Sequence, residues 1–234
     1  MNEAEHSWSS AELDRLNDHF RHESPRTLLA WAQRTFGTGL ALGTGFGPSG
    51  IVLMHIAASL RPTPLVFYLE TDLLFPETYA LRDRLSKHLR LDFHAVHCGI
   101  DLDTQANDQG PDLWARDSDS CCALRKVMPL RRFLQSRSAW VTGVRRDQGG
   151  ARANTPLLSW HPTYKVLKVN PLAHWTRDDV WGYIRLHELP YNDLHDQGYP
   201  SIGCWPCTQL AAANDSERAG RWAGQSKTEC GIHT

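Results

Sequence analysis

Between Leu40 and Val144 short apolar runs alternate with helical patterns, and this alternation restricts the fold more than any other feature of the chain. LALGTG (40–45) ends in glycines and leads into the helix-like IVLMHIAASL, after which TPLVFYLET (63–71) has the pattern of a buried strand. PETYALRDRLSKHL then reads as a helix, LDFHAVHC as a strand, CCALRKVMPLRRFLQ as a helix and AWVTGV as a strand. Strand, glycine turn, helix and strand in repetition predict βαβ units. The expected class is α/β, a mostly parallel twisted sheet with helices on both faces. In such sheets ligands gather at the carboxyl ends of the strands.

Residues 1–39 read as a helical preface: Ser9 or Ser10 is placed to cap AELDRLNDHF, and Ser24-Pro25 opens RTLLAWAQRTF, closed by Gly37. After Arg145, RRDQGGARANTP reads as a loop, YKVLKVNPL as a further strand and TRDDVWGYIRLHE as a helix capped by Thr176. With no repeat, low-complexity tract or linker, 1–234 is expected to be one domain, with a core over 40–208 and a mobile catalytic tail over 209–234. Tails are ordinarily dispensable. This one carries cysteine, tryptophan and arginine in KTECGIH and RAGRW.

The chain has 234 residues, with 25 Lys and Arg against 26 Asp and Glu, for a net charge of −1. That balance argues against an interface built on neutralising nucleic-acid phosphates, so no nucleic-acid partner is expected. No apolar run approaches the roughly 18 residues that span a bilayer, and MNEAEHSWSSAELDRL is too polar for a signal segment. A cytoplasmic protein with no membrane contact is expected, its six cysteines reduced rather than paired as disulfides.

Gly43 to Gly50 lies between a strand and a helix, where backbone N–H groups and the helix end receive anions. A Walker sequence is absent. Gly45-x-Gly47-x-x-Gly50 with Glu70 twenty residues on fits the dinucleotide fingerprint, which makes a Rossmann dehydrogenase a rival. A turn with no ligand role is the plainer alternative. Against the dehydrogenase, Pro48 sits where the helix should open and the cysteines go unused.

Cys98 ends an apolar run and reads as core. Cys121-Cys122 and Cys204-x-x-Cys207 offer four thiolates, suited to zinc or to an iron–sulfur cluster; adjacent cysteines cannot form a zinc knuckle, which favours the larger cluster. Arg125 and Lys126 follow Cys122 by three and four residues, either facing an anionic centre or simply solvated. Cys230 is the fifth member, with Lys227, His233, Arg218 and Arg221 as nearby cations that would favour a thiolate and hold an anion. Arg145, Arg146 and Arg152 flank the loop after a strand, and their forks suit phosphate or sulfate oxygens.

With CCALRKVMPL, VTGVRRDQ, GCWPC, RAGRW and KTECGIH in this order, the chain from about residue 40 onward resembles the assimilatory sulfonucleotide reductases, and among them the iron–sulfur adenylyl-sulfate (APS) reductases. The resemblance implies an adenine nucleotide α-hydrolase-like fold, a [4Fe-4S] cluster on Cys121, Cys122, Cys204 and Cys207, and Cys230 as nucleophile. It implies that Thr44, Gly45, Phe46, Gly47 and Ser49, with Leu69 and Thr71 of the LETD segment, hold adenosine. Lys126, Arg145, Arg152, Arg218, Arg221 and His233 would face the phosphosulfate.

The implied reaction is reduction of adenosine 5'-phosphosulfate to sulfite and AMP through an S-sulfocysteine, with thioredoxin or glutaredoxin as reductant, in sulfate assimilation and cysteine biosynthesis. A homo-oligomer is compatible with it. Sibling phosphoadenylyl-sulfate (PAPS) reductases commonly lack the four cysteines, so their presence points to APS. The alternatives are a PAPS reductase, an ATP-pyrophosphatase-type sulfur-transfer enzyme of the same fold, and a non-catalytic iron–sulfur or zinc module. One departure stands out: the family's loop usually reads Ser-Phe-Gly and an acidic pair, whereas Gly45-Phe46-Gly47-Pro48-Ser49-Gly50 shifts the expected hydroxyl contacts to Thr44 or Ser49.

Overall fold

The computed structural model describes residues 8–212, 216–225 and 227–233; residues 1–7 of the helical preface lie outside them. The chain runs α1 (Ser10–Phe20), α2 (Pro25–Phe36), β1 (Leu40–Gly43), α3 (Pro48–Ala58), β2 (Leu65–Glu70), α4 (Pro76–Leu89) and β3 (Phe93–His97). It continues through α5 (Leu102–Gln109), α6 (Leu113–Arg116), α7 (Ser118–Cys122), a π-helical turn (Ala123–Val127), α8 (Met128–Leu134) and β4 (Ala139–Val141). β5 (Leu158–His161), β6 (Val166–Val169) and α9 (Arg177–Leu186) complete the regular elements.

The strands form one six-stranded sheet in the order β3-β2-β1-β4-β6-β5. All neighbours pair in parallel except β5 with β6. The expected mostly parallel α/β sheet is thus present, with an antiparallel edge that the sequence reading did not contain.

Alternation along the strands explains the layers, because successive side chains point to opposite faces. Leu40, Leu42, Val66, Tyr68, Val141 and Val169 face the core that packs on α2, α3, α4 and α9. Ala41, Phe67, Val96, Trp140 and Val166 face the opposite side, where Leu130 and Leu134 of α8 cover them. Helices therefore lie on both faces. α3 is apolar almost all round and is the buried member, with Ile51, Val52, Leu53 and Met54 inaccessible to solvent.

The caps agree with the sequence. Ser9 and Glu12 form a capping box at α1, Ser24 caps α2 ahead of Pro25, and Thr176 with Asp179 forms a capping box at α9. No helix among the described residues is long and apolar enough to cross a membrane.

Candidate active site

β1 and β4 are neighbours whose onward connections run to opposite sides of the sheet, and ligands bind at such a switch point. A cavity of about 270 Å³ opens there, over Gly43 of β1, Leu69 of β2 and the Thr142-Gly143-Val144 segment after β4. The chain leaves β1 through Thr44, Gly45 and Gly47 and enters α3 with Pro48 in its first turn. Proline suits that position because no N–H is needed there, so Pro48 opens the helix rather than opposing it. No side chain caps α3, and its first amides, at Ser49 and Gly50, lie at the cavity as a ready anion site. Gly143 allows this approach: a Cβ there would stand 3.0 Å from Ser49 Cβ and 3.3 Å from the Gly50 nitrogen.

Thr44, Gly45, Gly47, Ser49, Leu69 and Thr71 all line the cavity. Phe46 does not contribute its side chain. It adopts φ 58° and turns its ring into the core against Tyr68 and Phe93, so its expected contact with adenosine is corrected to a packing role. The hydroxyls are already engaged, that of Thr44 accepting from the Phe46 amide and that of Ser49 from Arg145. Glu70 is buried, accepting from the Tyr79 hydroxyl at 2.7 Å and the Asp72 amide at 2.9 Å, and does not line the cavity. The dinucleotide reading therefore lacks its ribose-binding carboxylate.

The cations divide sharply. Lys126, Arg152, Arg218 and Arg221 line the cavity, whereas Arg145 does not. Arg145 is 1% exposed and its fork is engaged by Ser49, Asp147 and Glu217, so it braces the loops beneath the site instead of facing an anion. Burial opposes the charge of Lys126, yet the Cys204, Cys230 and Cys122 sulfurs outweigh it and hold the lysine above its ordinary range. Arg221 lies over the Trp222 ring at 4.6 Å, and its buried Nε has no partner among the described residues. Gly203 makes room for it, since a Cβ there would meet Arg221 Nη2 at 2.2 Å. Burial and the neighbouring Arg152 pull Arg218 down to about 10, still charged at neutral pH.

His233 lines the cavity but is not the cation the sequence suggested. Burial and then Lys168, Arg152 and Arg218 hold it well below the usual histidine range, so it is neutral. Its ring stacks on Trp140 at 5.2 Å and 12°, with Nδ1 unpartnered among the described residues. Lys227 does not line the cavity: it pairs with Asp119 at 2.7 Å and donates to the Ser118 carbonyl at 2.9 Å, beside Cys122 and over the Trp222 ring.

Cys121 and Cys122 end α7, where the backbone widens into the π-helical turn, a distortion common at functional sites. Cys204 and Cys207 flank a single 3-10 turn. The segment after β2 holds this turn in place, Trp205 N–H donating to the Leu73 carbonyl at 2.8 Å and Thr71 Oγ1 meeting Cys204 Sγ at 3.3 Å. All four thiols line one small enclosed cavity with Thr71, Leu73, Arg125 and Lys126. Arg125 and Lys126 are therefore not solvated helix charges. Arg125 donates to Gln105, the Thr71 carbonyl and Asp72, and leaves Nη2 buried and unpartnered among the described residues.

Among the described residues no three His, Cys, Asp or Glu side chains converge in the manner of a single-ion site. Burial, with Cys122, Cys204 and Cys207, pushes the Cys121 thiol up to about 12, so the set can be fully ionised only around a positive centre. Four thiol donors lining one cavity with an unpartnered guanidinium suit an anionic iron–sulfur cluster.

Cys230 is the one cysteine that is not buried. It lines the cavity over the β1–α3 loop and packs against the cluster of Cys122, Cys207 and Trp222, so the tail lays it between the two cavities. Cys98 is buried as expected, its thiol 3.0 Å from the Ile100 carbonyl. Sequence reasoning missed Trp140, Gly143, Glu217 and Glu229. The acidic pair was detectable as carboxylates next to Arg218 and Cys230, and Gly143 as a glycine at a strand end beside the switch point.

Residues 39–210 match the family model described as the phosphoadenosine phosphosulfate reductase domain. The chain is 57% identical over 228 residues to the adenosine 5'-phosphosulfate reductase of Salinibacter ruber, covering 97% of this chain and 90% of that protein. It is 43% identical to the protein of the same name from Oceanobacillus iheyensis, covering 88% and 87%. In structure it is similar to a phosphoadenylyl-sulfate reductase from Candida auris in a phosphate complex, with TM-score 0.78, 30% identity, and coverage of 87% of this chain and 98% of that one. An NAD synthetase from Campylobacter jejuni, at TM-score 0.53, 10% identity and coverage of 80% and 78%, shares the fold alone.

Proposed function

The chain belongs to the phosphoadenosine phosphosulfate reductase family, and on that premise we propose that it reduces adenosine 5'-phosphosulfate to sulfite and AMP, with Cys230 as nucleophile and thioredoxin as reductant. The observation that carries the reading is the placement of Cys230: a partly exposed thiol beside buried Lys126, at a cavity that Arg218 and Arg221 also line.

Adenosine would lie over the β1–α3 loop and the Leu69–Thr71 strand end, with its phosphate at the first amides of α3. The Cys230 thiolate attacks the sulfonyl sulfur in line; the S–O bond to phosphate breaks, AMP leaves with the electron pair, and Cys230 carries the SO3 group as S-sulfocysteine. Lys126, Arg218 and Arg221 neutralise charge on the sulfonyl oxygens and the departing phosphate. Neutral His233 offers Nδ1 as a hydrogen-bonding group instead of a charge. A thioredoxin thiolate then attacks Cys230 Sγ, sulfite departs with the electron pair, and the second thioredoxin thiol resolves the mixed disulfide.

Cys121, Cys122, Cys204 and Cys207 would hold a [4Fe-4S] cluster. When bound, it supplies a fixed charge beside Lys126 and ties α7 to the 204–207 turn. Arg125, which lines the same small cavity, would offset that charge.

The test is sulfite release from APS with reduced thioredoxin on anaerobically prepared protein, without ATP. APS turned over faster than its 3'-phosphorylated form is the expected result. Preference for the 3'-phosphorylated form would make the protein a PAPS reductase, and a requirement for ATP would favour the sulfur-transfer alternative.

A further inference from the structure

Arg125 spends its hydrogen-bonding capacity unevenly. Nε donates to Gln105 Oε1 at 2.6 Å, and Nη1 donates to the Thr71 carbonyl at 3.0 Å and to Asp72 Oδ2 at 2.8 Å. Nη2 is buried without a partner among the described residues, on a side chain that lines the cavity shared by Cys121, Cys122, Cys204 and Cys207. Every donor of the guanidinium except those on Nη2 is therefore committed. Leaving a charged donor buried in that state is costly unless a ligand accepts from it.

The two side chains that clamp the guanidinium are not equal. Asp72 is 41% exposed, so water competes for its carboxylate and the ion pair holds its geometry weakly. Gln105 is 1% exposed and is the one buried residue of α5. Asp101 fixes the start of that helix, its carboxylate accepting from the Thr104 amide at 2.7 Å and its carbonyl from the Gln105 amide at 3.1 Å. Burying an amide side chain is unfavourable unless it is hydrogen-bonded, and here the bond is to Arg125.

We infer that Gln105 is a positioning residue for the four-thiol site: it fixes the guanidinium of Arg125 so that Nη2 stays available to an anionic cluster in the small cavity. Without the amide acceptor, Nε is left buried and unpaired, and the guanidinium relieves this by turning, which withdraws Nη2. Gln105 does not itself line the cavity, so it acts only through Arg125. The inference rests on the four thiols holding an iron–sulfur cluster and adds a residue to that reading.

The experiment compares Gln105→Leu and Gln105→Glu with the parent, each as full-length, anaerobically prepared, cluster-bearing protein. One readout is the shift of the iron–sulfur stretching bands in resonance Raman spectra on exchange into D2O, which reports N–H donors to the cluster sulfurs. The shift is expected to shrink in Gln105→Leu, which keeps the bulk and loses the acceptor. The other readout is iron release to bathophenanthroline, expected to be about tenfold faster in Gln105→Leu, on the scale of losing an outer partner of a metal ligand shell. Gln105→Glu keeps an acceptor at the same reach and should restore both. In an Arg125→Lys background Gln105→Leu should add nothing, because the fork it positions is gone. If Arg125→Lys holds no iron, the comparison of Gln105→Leu with Gln105→Glu decides alone.

Three results would overturn the inference. One is a parent-like deuterium shift in Gln105→Leu, even with faster iron release, since packing of α5 would then be the whole effect. Another is no rescue by Gln105→Glu. The third is equal acceleration of iron release in the Arg125→Lys background, which would make Gln105 independent of Arg125. Parent protein that binds no iron would sink the cluster reading and this inference together, whereas parent protein that holds its cluster while Gln105→Leu matches it in both readouts would sink the inference alone.

Discussion

The four paired thiols and the single thiol of Cys230 lie on either side of Lys126, yet the chain builds the two sulfur sites by different means. The four sit on short regular elements, the end of α7 and the 204–207 turn, locked to the strand-end segment by backbone hydrogen bonds and closed from solvent. Cys230 sits on irregular chain, partly exposed, and is held by an ion pair before it and a stacked ring after it. Backbone pairing and burial make a site that does not move. Side-chain pins make one that can release its thiol, which a nucleophile needs if it meets a small nucleotide and then a protein reductant.

The largest test of this contrast is Cys204→Ala. If the four thiols hold a cluster, the change removes bound iron and costs about 4 kcal/mol or more of stability, read from denaturant unfolding and iron content. A thiol that merely packs would cost nearer 1 kcal/mol. Lys126→Met examines the group shared by both sites: kcat/KM for sulfite formation should fall about 100- to 1000-fold, the scale of removing one preorganised charge, while bound iron stays. Retained activity would separate Lys126 from the chemistry.

A smaller effect concerns the pins. Undocked His233 has the ordinary pKa of 6.5, whereas docked His233, buried and surrounded by Lys168, Arg152, Arg218 and His161, lies well below it. The released tail therefore binds the proton, so docking is at full strength above pH 6.5 and weakens below it, by up to about tenfold per pH unit. Cleavage of the tail by an acid-tolerant protease should accelerate from pH 7 to pH 5. His233→Phe, which keeps the stack and loses the proton, should flatten that dependence.

The regular half of the molecule was the more legible in sequence. α4 coincides with PETYALRDRLSKHL, and β1, β2, β4 and β6 fall within their apolar runs, because burial on both faces leaves a nearly continuous apolar signal. β5 escaped because Ser159 and His161 interrupt its pattern and its pairing with β6 is set by tertiary contact. α5 escaped because DTQANDQ has little apolar content; the Asp101 cap and the buried Gln105, bonded to Arg125, stabilise it instead.

In the site, the cysteines and the glycine loop were visible as types at fixed spacing. The partners of the charges were not. Arg145 taken up by Asp147 and Glu217, Arg152 by Glu229, and His233 neutral on Trp140 are consequences of long-range packing that no local pattern carries. Phe46 shows the same limit in the loop, where one positive φ sends its ring into the core.

The most direct measurement is to incubate the anaerobic protein with APS in the absence of reductant and weigh the Cys230 peptide. The account predicts a mass gain of one SO3 group on Cys230, stoichiometric with AMP released, lost as sulfite when thioredoxin is added and absent in Cys230→Ser. AMP and sulfite released with no modification of Cys230, or undiminished turnover by Cys230→Ser, would contradict it.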